Sequence, residues 1–131
     1  MKKLIIGATG SIGSSLCKKI VADGGEAHLV GRDEKSLTEL ASELNSSFTV
    51  TDVLEENFSN KILNDLGDTP LDGLAYCVGS IDLKPIKMTK KSDYMQSFNL
   101  NLISATEIIR STSENLKKNK GSIVLFSTVA V

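Results

Sequence analysis

Gly7, Gly10 and Gly13 recur at three-residue spacing in the stretch IIGATGSIG, between a short apolar run and the first amphipathic segment. That placement suits the grip of an anion. Gly7 permits a tight strand-to-helix turn, Gly10 lets backbone approach a pyrophosphate, and Gly13 lets the helix pack against the strand with its N–H groups and dipole facing the charge. Thr9, Ser11 and Ile12 fill the turn and complete the candidate binding loop. About twenty residues further on, where a dinucleotide-binding fold offers a group to the adenosine ribose, VGRDEKSL presents Arg32. A carboxylate there would accept hydrogen bonds from a 2′-hydroxyl, whereas a guanidinium matches a 2′-phosphate. NADP is therefore favoured over NAD. Asp33 reads as the cap of the next helix and Lys35 as a solvated first-turn lysine.

Other polar residues sit where chemistry is possible. Asn101 falls between the bearings of Tyr94 and Ile108 on a long amphipathic segment, at the edge of its apolar stripe, where an amide needs hydrogen-bond partners. Ser127 and Thr128 place two hydroxyls directly after the last apolar run. His28 lies inside a strand and reads as packing. Cys17 and Cys77 show neither metal-ligand spacing nor a CxxC pattern and read as reduced core thiols, so no metal site is expected.

The elements that must hold these residues follow from hydrophobic periodicity. Strands suited to burial on both faces are expected at Leu4 to Ile6, Ala27 to Val30, Phe48 to Val50, Leu74 to Val78 and Ile123 to Phe126. Helical spacing falls between them at Ile12, Leu16 and Ile20, at Leu37, Leu40 and Leu44, and at Phe58, Ile62 and Leu66. A longer amphipathic helix is expected from near Ser92 to about Lys118, with Phe98, Leu102, Ala105, Ile109 and Leu116 on one stripe. Met88 and Met95 read as core or pocket filling. Strict alternation of strand and helix implies right-handed crossovers and a parallel sheet: an α/β, Rossmann-like doubly wound fold, three layers deep, with strand order 3-2-1-4-5.

Composition narrows the function classes. The 131 residues suit one domain spanning 1–131, and 15 basic against 16 acidic residues leave a net charge of −1. No basic field exists to hold a polyanionic backbone by counterion release, so nucleic acid is not an expected partner. The apolar run after Met1-Lys2-Lys3 is too short for a signal peptide, no run reaches membrane-spanning length, and a cytoplasmic location is expected.

IIGATGSIG, VGRDEKSL, TDV at Thr51 to Val53, YCVG, NLNLIS and GSIVLFSTVAV fall in an order and spacing that resembles the short-chain dehydrogenase/reductase family across essentially the whole chain. The resemblance implies that Asp52 and Val53 flank the adenine. It also sets Cys77, Val78 and Gly79 beside the cofactor ribose, where the family usually has Asn-Ala-Gly. A thiol cannot replace the amide's hydrogen bonds, so backbone contacts alone carry over at Cys77. Asn101 becomes the family's asparagine that holds a water in a proton relay. Thr128, with Ser127 as the fallback, becomes the hydroxyl that stabilises charge on the substrate's carbonyl oxygen. Adjacent strand residues face opposite ways, so both serve one pocket only if the strand breaks.

The family's acid is a Tyr followed four residues later by a Lys. Tyr76 and Tyr94 are followed at that distance by Ser80 and Phe98, and the expected place for the pair lies past Val131. The expectation is thus the cofactor-binding half of a longer NADP-dependent oxidoreductase acting on a small carbonyl or alcohol, inactive or impaired alone and forming a homo-oligomer. Two alternatives stay open. Cys77 and Thr128, both departures from the family pattern, suit a non-catalytic NADP-binding sensor module, and the glycine spacing suits a sugar-nucleotide epimerase or dehydratase of the extended branch.

Overall fold

The computed structural model describes residues 1–128. Its elements run β1 (Lys2–Ile6), α1 (Ser11–Ala22), β2 (Glu26–Gly31), α2 (Glu34–Leu44), β3 (Ser47–Val50), α3 (Phe58–Leu66), β4 (Gly73–Tyr76), α4 (Lys91–Phe98), α5 (Ser104–Ser111), α6 (Ser113–Lys118) and β5 (Ser122–Leu125). The five strands form one parallel sheet in the order β3-β2-β1-β4-β5. This is the expected doubly wound arrangement.

Alternation along each strand sends side chains to two separate cores. Ile5, Leu29 and Ala75 pack with Cys17, Leu37 and Ala41 of α1 and α2. Leu4, Ile6, Val30, Leu74 and Tyr76 pack with Phe58 and Ile62 of α3, Ile108 of α5 and Leu116 of α6. Full burial of a Leu or Ile side chain contributes about 2 kcal/mol, and Leu4, Ile6, Leu29 and Ile108 are completely enclosed.

His28 is a packing residue, as its position suggested. It is buried, with Nδ1 on Ser47 Oγ and Nε2 on Thr49 Oγ1, both at 2.8 Å, and the Thr49 hydroxyl donates onward to Asp65. Burial, with a smaller contribution from Lys2, lowers its pKa to about 4. The imidazole is neutral at pH 7.

The long helix differs from its expectation. It winds as a wider π turn over Asn99–Ile103 and breaks at Thr112. Side chains entering the backbone ladder account for both. Tyr76 donates to Leu100 C=O, Asn101 donates to Ser97 C=O, and Thr112 Oγ1 bonds back to Ile108 C=O. The wider turn also rotates the stripe. Ile108 is fully buried and Ile109 only partly, while Phe98 and Leu102 are 59% and 50% exposed. Met88 and Met95 are exposed too and fill no core, although Met95 lines a small surface pocket with Leu54 and Gln96, and all four residues of β5 are exposed. Every strand begins before its expected start, and β4 and β5 also end earlier than expected, at Tyr76 and Leu125.

Candidate functional site

The three glycines of the first turn do different work. Gly7 has φ +80°, and a β-carbon there would lie 2.8 Å from Val78 Cγ2 and 3.0 Å from the Cys77 carbonyl carbon. A β-carbon on Gly13 would lie 2.0 Å from the Gly7 oxygen. The turn and the seating of α1 therefore demand glycine at both positions. Gly10 is unlike them. Its φ of −72° and ψ of 170° suit any residue, and an added β-carbon would meet only the Gly7 oxygen, at an ordinary 3.6 Å.

Gly10 is the N-cap of α1, and no side chain caps that helix or places an acid in its first turn. The first N–H groups thus lack a capping acceptor, the arrangement in which a helix end takes an anion. Ser11 is exposed in that first turn, Ile12 is half exposed one residue on, and Thr9 is half-buried beside Gly31. At α2 the opposite holds. Asp33 accepts from the Lys35 and Ser36 N–H groups at 3.1 and 3.3 Å, and the Ser36 bonds hold its carboxyl below the usual carboxylate range. The cap reading of Asp33 is what the structure shows. Arg32 beside it is exposed and makes no ion pair among the described residues.

Two adjoining cavities follow the C-terminal ends of the strands. The smaller, about 360 Å³, gathers Gly7, Thr9, Gly10, Arg32, Asp52, Val53, Cys77, Val78 and Gly79, along with Thr51, Ser80, Gln96 and Leu100. The larger, about 1030 Å³, is lined by Ile12, Cys77, Val78, Gly79, Ser80, Tyr94, Asn101, Ser127 and Thr128, among others. The structure thus brings the turn, Arg32, Asp52 and Val53 to one groove, and Asn101, Ser127 and Thr128 to its neighbour. Ser11 and Gly13 line neither. Because β5 ends at Leu125, Ser127 and Thr128 leave strand geometry and both reach the same cavity.

Neighbouring contacts fix these residues. Asp52 accepts from Leu54 N–H at 2.9 Å, and Val53 is buried with its C=O receiving the Ser104 hydroxyl at 2.7 Å. Cys77 N–H extends the sheet ladder to Ile6 C=O. Burial pushes its thiol pKa up, and that of Cys17 up to about 12, so both sulfurs stay protonated and poorly nucleophilic.

Asn101 has its amide fully engaged. Oδ1 accepts from Ser80 N–H at 3.1 Å, and Nδ2 donates to Ser80 C=O and Ser97 C=O at 3.0 Å. The side chain clamps the segment after β4 to the π turn. A β-carbon at Gly79 would approach Asn101 Oδ1 to 3.2 Å, so the clamp also benefits from glycine there. Tyr76 donates to Leu100 C=O, and burial raises its phenol to about 12, which leaves it poorly suited to protonating anything in the cavity.

Sequence reasoning missed Tyr76, Ser104 and Thr51. Tyr76 and Ser104 act through partners distant in sequence, which no local spacing reports. Thr51 stands within the TDV stretch, but its hydroxyl is distinguished only by its surroundings. It is the one buried side-chain oxygen without a hydrogen-bond partner among the described residues.

The profile of a family described as short chain dehydrogenase matches residues 2–131. A probable NADP-dependent dehydrogenase of Haemophilus influenzae is 29% identical over 133 residues, covering 97% of this chain and 53% of that protein. A 7beta-hydroxysteroid dehydrogenase of Collinsella aerofaciens is 42% identical over 57 residues, 43% of this chain and 22% of that one. Among solved structures, a short chain dehydrogenase/reductase from Saccharomyces cerevisiae superposes with a TM-score of 0.89 at 19% identity, covering 97% of this chain and 53% of that one. The chain spans about half the length of the first relative. Among the described residues no helix is long and apolar enough to cross a membrane.

Proposed function

The chain belongs to the short chain dehydrogenase family, and from that premise we propose that it carries the NADP-binding half of an oxidoreductase acting on a small carbonyl or alcohol. The observation that carries the reading is Gly10. Among the described residues no contact or backbone angle requires glycine there, yet it caps a helix whose first N–H groups have no side-chain acceptor. A ligand's diphosphate supplies the missing reason, because a side chain at that position would stand between it and the helix end. Arg32, exposed at the rim of the same groove and free of ion pairs among the described residues, supports the 2′-phosphate.

The residues fit a dinucleotide in strand order. The α1 end holds the diphosphate, Arg32 the phosphorylated ribose, and Asp52 with Val53 the base. Cys77, Val78 and Gly79 offer backbone to the second ribose. When bound, the nicotinamide supplies hydride chemistry. The Thr128 hydroxyl, with Ser127 as the alternative, lines the larger cavity and would donate to the substrate's carbonyl oxygen where charge develops. Asn101 holds Ser80 and so shapes the wall between the two cavities.

Titration calorimetry tests the cofactor assignment. NADPH should bind more tightly than NADH, and Arg32→Ala should weaken NADPH about tenfold while leaving NADH nearly unchanged, the loss of one charge-assisted contact. Absence of heat with both dinucleotides overturns the reading.

A second reading, a non-catalytic NADP-binding module, draws on the protonated half-buried thiol at Cys77 and on threonine at position 128. In a protein of the relatives' full length, tight NADPH binding without its oxidation by a panel of aldehydes and ketones favours the module. Self-association belongs to the first reading. Phe98, Leu102, Leu125 and Phe126 are each at least half exposed, and sedimentation of a clean monomer at high concentration would remove it.

A further inference from the structure

Thr51 follows β3 directly, is 3% exposed and lines the smaller groove. Its backbone is anchored, with the N–H donating to Gly31 C=O at 2.9 Å. Its hydroxyl is not. Oγ1 is shielded from solvent and has no hydrogen-bond partner among the described residues. The residue two positions earlier shows the contrast, since Thr49 Oγ1 bonds both His28 and Asp65.

An unpartnered buried hydroxyl carries an uncompensated desolvation cost that valine of the same shape would avoid. Because Thr51 lines the groove, its unpartnered hydroxyl is a group held for a partner from outside the chain. Its place identifies that partner's chemistry. The sheet order runs β3-β2-β1, with the anion-binding turn above β1 and Arg32 at the end of β2. A dinucleotide laid along that edge reaches β3 with the group beyond its phosphorylated ribose, the adenine ring.

We propose that the Thr51 hydroxyl is a recognition group for the adenine end of the ligand, contributing affinity in addition to Asp52 and Val53. The inference rests on the dinucleotide reading above. Adenine offers both ring-nitrogen acceptors and an amino donor, and a hydroxyl can serve either.

Calorimetry with 2′,5′-ADP, which carries the adenine and the 2′-phosphate without the nicotinamide, tests the proposal on the whole chain. Thr51→Val should weaken 2′,5′-ADP about five- to tenfold, the loss of one neutral hydrogen bond. Thr51→Ser, which keeps the oxygen, should stay within about twofold of the parent. Thermal melting of unliganded Thr51→Val should match or exceed the parent, and Thr51→Ala serves in its place if that variant fails to fold. Unchanged affinity in the variant lacking the oxygen overturns the proposal, as does an equal loss in Thr51→Ser, which would assign the effect to packing. If the parent binds neither 2′,5′-ADP nor NADPH, the dinucleotide reading falls as well. Binding of NADPH by the parent with no effect at Thr51 removes this inference alone.

Discussion

The N-termini of α1 and α2 lie at the ends of neighbouring strands and against the same core, yet they are finished in opposite ways. At α2 the chain satisfies itself: Asp33 accepts two N–H groups, and Glu34 adds a negative charge to the first turn. At α1 it does neither. Gly10 occupies the cap position without a side chain, and no acid stands in the first turn. A helix end left without a side-chain acceptor is unfavourable for the isolated fold, by a few tenths of a kcal/mol where glycine stands at the cap in place of serine. The difference separates a terminus closed by its own side chains from one left open, the end to which the proposed reading assigns a diphosphate.

The largest expected effect comes from the third helical residue of each terminus, Gly13 in α1 and Ser36 in α2. Gly13→Ala drives a β-carbon to within 2.0 Å of the Gly7 oxygen, and should cost about 3 kcal/mol or more by overpacking. Urea denaturation should show that loss together with weakened NADPH binding, because the turn must move to make room. Ser36 already carries a side chain, so Ser36→Ala should change stability by no more than about 1 kcal/mol, from the lost bond to Asp33. Equal losses at the two positions would erase the distinction between the termini.

The same contrast explains what the sequence could reveal. Gly13 and Asp33 act within a few residues of themselves, as does the positive φ of Gly7, so spacing carried these roles, whereas the close approach of Gly7 to Cys77 and Val78 joins residues distant in the chain. Strand order followed from the alternation of elements and the handedness of crossovers. The π turn did not, since Tyr76 reaches it from β4 and Asn101 within it bonds to the distant Ser80, contacts that no local repeat reports. Periodicity placed Phe98 and Leu102 on a common stripe, but a repeat reports which residues share a face and not whether anything lies against it. Ser127 and Thr128 reach one cavity only because β5 stops at Leu125, a boundary with no marker in the apolar run. Thr51 needed every neighbouring donor and acceptor to be assigned before its hydroxyl stood out.

The smallest effect tests the comparison most directly. Gly10 has the extended φ and ψ of an ordinary N-cap, with space above it, so Gly10→Ser should let a hydroxyl accept from the first turn and raise stability by a few tenths of a kcal/mol. Asp33→Ala should do the reverse at α2, lowering stability by about 1 kcal/mol through loss of its cap. Binding should move in the opposite sense. The serine oxygen would compete with a diphosphate for the same N–H groups and occupy the space it needs, so NADPH affinity should fall several-fold, roughly the value of one hydrogen bond. Asp33→Ala removes a carboxylate next to Arg32 and should leave NADPH binding equal or slightly tighter. Paired denaturation and calorimetry on the two variants read both quantities. If Gly10→Ser gains stability and binds as the parent does, the open end of α1 is an unfinished cap and not an anion site.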